Sequence, residues 1–197
     1  MTLTMRSPIS QQPLCQVCSI VASTVQASSA NDGRCLDVGC GFGTIVPNLL
    51  SAGLEPNQIY GVDLSSEMIR NAVDLHPKCT FEAAEFLLYQ GPSGGFDSII
   101  FCSTLHDLPD QGAALRKASE LLRPQGSIVI VHAQGAGHVE KQVHSNPVLV
   151  RRGLPNEKEL RELAGDLGLS LAKIPALPNS AQDDDEGYLA VLQSSKV

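Results

Sequence analysis

Three glycines at alternate positions, Gly39, Gly41 and Gly43, follow the first short apolar run of the chain. Glycine lets a backbone turn tightly and approach a ligand closely, because no Cβ stands in the way. Twenty residues after Gly43, the acid Asp63 follows the next apolar run, where a carboxylate can accept hydrogen bonds from ribose hydroxyls. Thr44 occupies the place of the third glycine of a GxGxxG turn, which weakens the prediction of a pyrophosphate-binding dinucleotide site.

Four of the five histidines fall at or just beyond the ends of later apolar runs. Ligands bind at the carboxyl ends of parallel strands, and histidine titrates near neutral pH, so these imidazoles are candidates for proton transfer. The candidate catalytic residues are His106, His132 and His138. As an alternative, His132, His138 and His144 could share a metal ion, but their spacing matches no recognised metal pattern, and we predict no metal site.

Short apolar runs alternate with helical patterns from Arg34 onward, which is typical of an α/β fold with a mostly parallel sheet. Five runs predict strands over residues 35–38, 59–62, 80–83, 98–102 and 127–132. Two late runs, 170–174 and 188–192, are separated only by a turn-rich stretch. We expect them to form an antiparallel hairpin at the edge of the sheet.

The helices predicted between these strands have recognisable ends. A first helix over residues 43–50 follows the glycine turn, and Ser65 or the next serine can cap a second one. Asp110 can cap a third helix. Asn156, with Glu159 three residues later, resembles a capping box at the start of a fourth.

Four segments together resemble the successive motifs of class I S-adenosylmethionine-dependent methyltransferases. They are LDVGCGFGT at 36–44, GVDLSSEMI at 61–69, FDSIIFCSTLHDLPD at 96–110 and GSIVIVH at 126–132. The resemblance implies a Rossmann-like three-layer sandwich with a mostly parallel seven-stranded sheet and a C-terminal antiparallel hairpin. It also implies S-adenosylmethionine as the cofactor and S-adenosylhomocysteine as its product.

The same resemblance assigns roles to individual positions. The glycine turn meets the methionine end of the cofactor, and Asp63 binds its ribose. The Asp-Ala pair that many members carry after the third strand is absent, so Glu85 or the backbone near Ala84 takes its place. Asp37 is expected to order the glycine turn through hydrogen bonds. The cofactor-binding residues so predicted are Asp37, Gly39, Cys40, Gly41, Gly43, Asp63, Leu64, Met68, Ala84, Glu85, Phe86, Cys102 and Ser103.

Composition narrows the classes of partner. The net charge of −7 is opposite in sign to the positive charge that binding to a nucleic-acid backbone requires. Aromatic residues make up only 4 % of the chain and none is Trp, so few rings are available for base stacking. No uncharged apolar run reaches the roughly 18 residues of a membrane span, so no membrane partner is expected. Cys15 and Cys18 form a single CxxC motif. The six cysteines do not show the pattern of a disulfide framework in a small secreted protein. We therefore expect a reducing, cytoplasmic location.

Residues 1–31 contain no acid and a single arginine, and apolar residues at helical spacing run through them. This pattern favours a helix packed on the main domain over the alternative of a targeting leader. We expect residues 1–31 to form a helical, partly flexible lid segment and residues 32–197 to form the methyltransferase domain. The Gly-rich stretch 134–153 is expected to be a substrate-facing loop.

The function predicted from these features is SN2 methyl transfer from S-adenosylmethionine to a small-molecule acceptor through O, N, S or C. A small or exposed acceptor is favoured because little material remains for a cap domain. A monomer or a homodimer is expected. The alternative is a non-catalytic protein of the same fold that binds the cofactor or a partner chain. A nicotinamide-dependent oxidoreductase is disfavoured by the missing third glycine and by the C-terminal hairpin.

Overall fold

The computed structural model describes residues 12–26, 33–148, 150, 152–172 and 187–194, with side chains from residue 18 onward. Seven strands form its sheet: β1 Cys35–Val38, β2 Ile59–Asp63, β3 Thr80–Ala83, β4 Phe96–Cys102, β5 Leu122–His132, β6 Leu169–Leu171 and β7 Tyr188–Ser194. Their order across the sheet is β3-β2-β1-β4-β5-β7-β6. Strands β1 to β5 run parallel, whereas β7 is antiparallel to both β5 and β6. The predicted mostly parallel sheet with a C-terminal antiparallel hairpin is confirmed.

Helices cover both faces of this sheet and make three layers. They are α1 Gln12–Gln26, α2 Val46–Ser51, α3 Ser66–Leu75, α4 Gln111–Leu121, α5 Gly135–Ser145 and α6 Glu157–Asp166. Apolar residues of α1 and α2 pack on one face, and those of α4 and α6 pack on the other. Because both faces are covered, β1 and nearly all of β4 are buried along their length.

Alternation along β1 divides its side chains between the two layers. Leu36 and Val38 join the apolar cluster that includes α4 and α6, whereas Cys35 joins the cluster that includes α1 and α2. The first helix contributes Val21 and Val25, both fully buried, so the predicted packing of an N-terminal helix on the main domain is confirmed. A lid role for residues 1–31 stays a prediction.

The predicted helix caps are confirmed. The Ser65 hydroxyl accepts the Met68 amide hydrogen over 3.3 Å, and the Asp110 carboxylate accepts that of Ala113 over 2.9 Å. At the start of α6, the side chain of Asn156 accepts the amide hydrogen of Glu159. The side chain of Glu159 in turn accepts that of Asn156, which completes the capping box.

The predicted substrate-facing loop over residues 134–153 is wrong, because α5 occupies most of it. Its glycines lower the helix propensity of the segment, but Val139 is fully buried, and tertiary packing of one apolar position supports a helix that propensity alone disfavours. The helix predicted over 43–50 begins later, at Val46, and Pro47 lies in its first turn, where a missing N–H costs nothing. The strand predicted over 170–174 is β6, which ends at Leu171, and residues 173 and 174 lie outside the described part.

No helix in the described part of the chain is long and apolar enough to cross a membrane.

Replacing Asn156 with Ala should lower the free energy of unfolding by about 1 kcal/mol, because the first turn of α6 loses its side-chain acceptor. Urea denaturation followed by circular dichroism measures this change. Lys158→Ala in the same turn is the control, since that side chain is exposed, and it should change stability by less than about 0.5 kcal/mol. Equal effects of the two substitutions would show that the capping box does not stabilise α6.

Candidate functional site

The end of β2 holds the glycine turn through three consecutive backbone amides. The N–H groups of Gly39 and Cys40 donate to the carbonyl oxygen of Val62 over 2.8 and 3.2 Å. The next amide, of Gly41, donates to Oδ2 of Asp63 over 2.9 Å. The turn is therefore attached to the neighbouring strand, and these amides are not free to bind an anion such as a pyrophosphate.

The acid that orders the turn is Asp63. Its second oxygen accepts the amide hydrogen of Ser65 over 2.8 Å, so one carboxylate joins the turn to the segment that leads into α3. The prediction that Asp37 orders the glycine turn through hydrogen bonds is wrong. Oδ1 of Asp37 has no hydrogen-bond partner among the described residues, although this side chain is only 3 % exposed.

The three glycines have different reasons to lack a side chain. A Cβ on Gly39 would lie 2.3 Å from Cγ2 of Thr104, and a Cβ on Gly43 would lie 2.7 Å from Cδ2 of His76. A Cβ on Gly41 would meet nothing within 4 Å, so that position faces open space. All three have a positive φ, which favours glycine at each position.

A cavity of about 500 Å³ opens beside this turn, at the carboxyl ends of the parallel strands. Eight predicted cofactor-binding residues line it: Gly39, Asp63, Leu64, Ala84, Glu85, Phe86, Cys102 and Ser103. The other residues of its wall are Val38, Val62, Leu87, Thr104, Asp107, Leu108, Pro109, Asp110 and Ala114. The volume is within the range of about 300–1,000 Å³ that is usual for small-molecule sites.

Five predicted residues lie outside this wall. Asp37 and Cys40 are buried, and Gly41 and Gly43 belong to the turn itself. Met68 lies on α3 with 41 % of its surface exposed. Eight of the thirteen predicted residues thus line one cavity, and the other five do not.

Thr104 and the stretch from Asp107 to Asp110 also line this wall, although the sequence did not predict them as binding residues. One signal of a special site there is Ser103, a non-glycine residue with a φ of +56°. Such backbone strain is retained where the surrounding structure enforces it, and it is common at ligand sites. Thr104 supports the same corner, because its hydroxyl donates to the carbonyl oxygen of Cys102 over 3.1 Å while its methyl group covers Gly39.

The charged side chains in the described wall of the cavity are all acidic. Its ionisable carboxyl groups belong to Asp63, Glu85, Asp107 and Asp110, and no Lys or Arg is among the described lining residues. Behind the wall, burial and then the charge of Asp63 raise the pKa of Asp37 to about 8. The site therefore suits a cationic or neutral ligand better than an anionic one.

Three of the histidines meet at the ends of β4 and β5. The rings of His106 and His132 lie 5.0 Å apart edge to face, and those of His132 and His138 lie 5.8 Å apart in a stack. His144 is not part of this cluster, since its side chain is 77 % exposed at the end of α5. The structure thus brings together the three predicted catalytic histidines but not the alternative metal-binding trio.

Burial is the main influence on the pKa of the two inner imidazoles. Burial, and then the neighbouring His106 and His138, lower the pKa of His132 to about 4. Burial also lowers the pKa of His106, but Asp107 opposes this shift, since its Oδ1 is 3.5 Å from Nε2 of His106. Among the described residues, no group of three or more His, Cys, Asp or Glu side chains is arranged to hold a metal ion.

Gly39→Ala should destabilise the protein more than Gly41→Ala, because both positions have a positive φ but only the first Cβ would overlap Thr104. We expect a difference of about 1–3 kcal/mol, the usual cost of overpacking. Urea unfolding of both variants measures it. Adding Thr104→Ser to Gly39→Ala removes the blocking methyl group and should recover part of the loss. Equal stability of the two single variants would contradict the assigned contact.

A family model described as a methyltransferase domain matches residues 29–185. An uncharacterised methyltransferase of Anoxybacillus flavithermus is 32 % identical over 111 residues, which are 55 % of this chain and 50 % of that protein. A ubiquinone biosynthesis O-methyltransferase of Xanthomonas campestris is 28 % identical over 127 residues, 61 % of this chain and 52 % of that protein. The chain thus spans about half the length of these two relatives.

The fold is shared with solved structures of low sequence identity. The N-methyltransferase NodS from Bradyrhizobium japonicum, in complex with S-adenosylhomocysteine, superposes with a TM-score of 0.70 at 16 % identity. The alignment covers 96 % of this chain and 89 % of that one. This likeness confirms the predicted Rossmann-like architecture.

Proposed function

Because the chain belongs to the methyltransferase-domain family, we propose that it transfers a methyl group from S-adenosylmethionine to a small-molecule acceptor. The observation that carries this proposal is the cavity beside the glycine turn, with Asp63 and Glu85 in its wall and no basic side chain among its described residues. The names of the O-methylating relative and of the N-methylating structural neighbour support the reaction class. The acceptor atom is left open between O, N, S and C.

The described residues fit S-adenosylmethionine better than a nicotinamide dinucleotide. A dinucleotide brings a pyrophosphate, but the amides of the turn donate internally and no cation lines the wall. S-adenosylmethionine brings a positively charged sulfur, which a wall of carboxylates favours. In this assignment Asp63 binds the ribose hydroxyls and Glu85 accepts from the adenine amino group.

Asp63 is already oriented for that role. A carboxylate has about four acceptor positions, and the amides of Gly41 and Ser65 use two of them. The remaining lone pairs can accept the two ribose hydroxyls without any movement of the side chain. Preorganisation of this kind reduces the entropy lost on binding.

When bound, S-adenosylmethionine supplies an activated methyl group, so the protein need not create an electrophile. The chain has to place the acceptor atom in line with the methyl group. If the acceptor atom carries a proton, the chain also has to remove that proton. We assign the base to the cluster of His106, His132 and His138. His106 is the preferred member, because Asp107 supports its protonated form, whereas His132 is surrounded by imidazoles and is a weak base.

Asp63→Ala should weaken S-adenosylmethionine binding at least tenfold, because charge-assisted hydrogen bonds of about 1.5–3 kcal/mol are lost. Isothermal titration calorimetry measures the affinity. Asp74→Ala on the exposed side of α3 removes a carboxylate away from the cavity and is the matched control. Unchanged affinity in a folded Asp63→Ala variant would show that Asp63 does not bind the ribose hydroxyls.

His106→Ala should leave cofactor affinity unchanged and lower kcat by about 10²–10⁴-fold, the usual contribution of a general base. The exposed His144 provides the control substitution, which should change neither quantity. Product S-adenosylhomocysteine, quantified for each variant with the acceptor found by screening, gives the rate. A kcat equal to that of the unmodified protein would show that His106 has no catalytic role.

Calorimetric titration with S-adenosylmethionine, S-adenosylhomocysteine and NADH, followed by an acceptor screen, tests the function as a whole. Binding of the two sulfur nucleotides without NADH, and methyl transfer to a phenol, amine, thiol or carbon acid in the screen, is the expected result. Cofactor binding with no turnover on any acceptor would favour the non-catalytic alternative. Binding of NADH alone would overturn the proposal.

A further inference from the structure

Asp37 is a buried acid whose charge has no partner in the described structure. It lies on β1, in register with Gly61 on one side and Ile100 on the other, and neither residue has a side chain that can donate a hydrogen bond. Its Oδ1 is without a hydrogen bond, and the residue is 3 % exposed. A buried carboxylate in this state is costly, because burial penalises the charged form.

The groups that face Asp37 make its ionisation still less favourable. Asp63, at the end of β2, adds a like charge. Cys35 on the same strand and Cys40 in the glycine turn are the titratable neighbours on its own segment, and Cys18 of α1 faces Cys35. Burial raises the pKa of both Cys35 and Cys40, so neither thiol provides a charge near neutral pH. Among the described residues, no Lys, Arg or His acts on Asp37.

We propose that Asp37 holds a proton in the free protein and releases it when S-adenosylmethionine binds. The inference rests on the proposed function, since the sulfonium and ammonium groups of that ligand are the positive charges that would stabilise the carboxylate. Asp63 lines the cavity and its charge already acts on Asp37, so a cation bound in the same cavity can act on the Asp37 carboxyl group as well. On binding, the O–H bond of the Asp37 carboxyl group breaks and the proton passes to a buffer base.

The direction of the pH dependence follows from this linkage. With the pKa of Asp37 at about 8 in the free protein and lower in the complex, the complex binds fewer protons than the free protein below pH 8. Affinity for S-adenosylmethionine therefore rises with pH up to about 8. Between pH 6 and 7 the rise should approach about tenfold, the limit for release of one proton.

Calorimetry at pH 6.5, in buffers of different ionisation enthalpy, counts the protons released per ligand bound. The ligand's own ammonium is fully protonated at this pH, because an α-amino group titrates at about 7.7–8.0. Asp37→Asn keeps the size of the side chain and cannot ionise, so it is the matched variant. Subtracting its proton count removes the contribution of every other group.

We expect release of about one proton from the unmodified protein and about none from Asp37→Asn, whose affinity should not change between pH 6 and 7. Equal proton counts for the two proteins would overturn the proposal. A carboxyl carbon resonance of Asp37 that shows the ionised form in the free protein at pH 6.5 would also overturn it. This nuclear magnetic resonance measurement on the unmodified protein keeps the test valid if Asp37→Asn fails to fold.

The two proposals fail in different ways. If S-adenosylmethionine does not bind the unmodified protein, the proposed function is overturned, and the carbon resonance of Asp37 still reports whether the free protein holds the proton. If the ligand binds without proton release, the function stands and the inference about Asp37 is overturned.

Discussion

The attachment of the glycine turn to the end of β2 is the constraint on which the rest of the site depends. Three successive amides, from Gly39 to Gly41, donate to the Val62 carbonyl and the Asp63 carboxylate. Because parallel β1 and β2 are neighbours in the sheet, the turn after one strand lies beside the end of the other. The attachment fixes the floor of the cavity and also removes the donors that an anionic ligand would need.

The electrostatics of the site follow from the same arrangement. With its amides occupied and no Lys or Arg among its described lining residues, the cavity is governed by carboxyl groups. Asp63 meets solvent and the amides that stabilise its charge, whereas Asp37 is buried behind it without a counter-ion. Two acids of one type thus lie in different surroundings, and burial raises the pKa of Asp37.

Much of the fold was predictable because local physics determines it. Short runs of residues marked β1 and β3 with correct bounds, and short polar side chains marked the caps at Ser65, Asp110 and Asn156. The α5 segment was misread because its glycines lower helix propensity, while the burial of Val139 that supports the helix depends on the whole fold. Eight of the cofactor-binding residues that the resemblance to the family predicted line one cavity in the structure.

The sequence by itself determined the strands, the caps of α3, α4 and α6, the glycine turn and the acid at the end of β2, because the signal for each lies in neighbouring residues. Only the tertiary structure decided that Asp63 rather than Asp37 orders the turn, that Thr104 covers Gly39, and that His106 joins His132 and His138 while His144 does not. These contacts join residues far apart in the chain, and their partners are set by which strands lie side by side and by which side chains the packed layers bury.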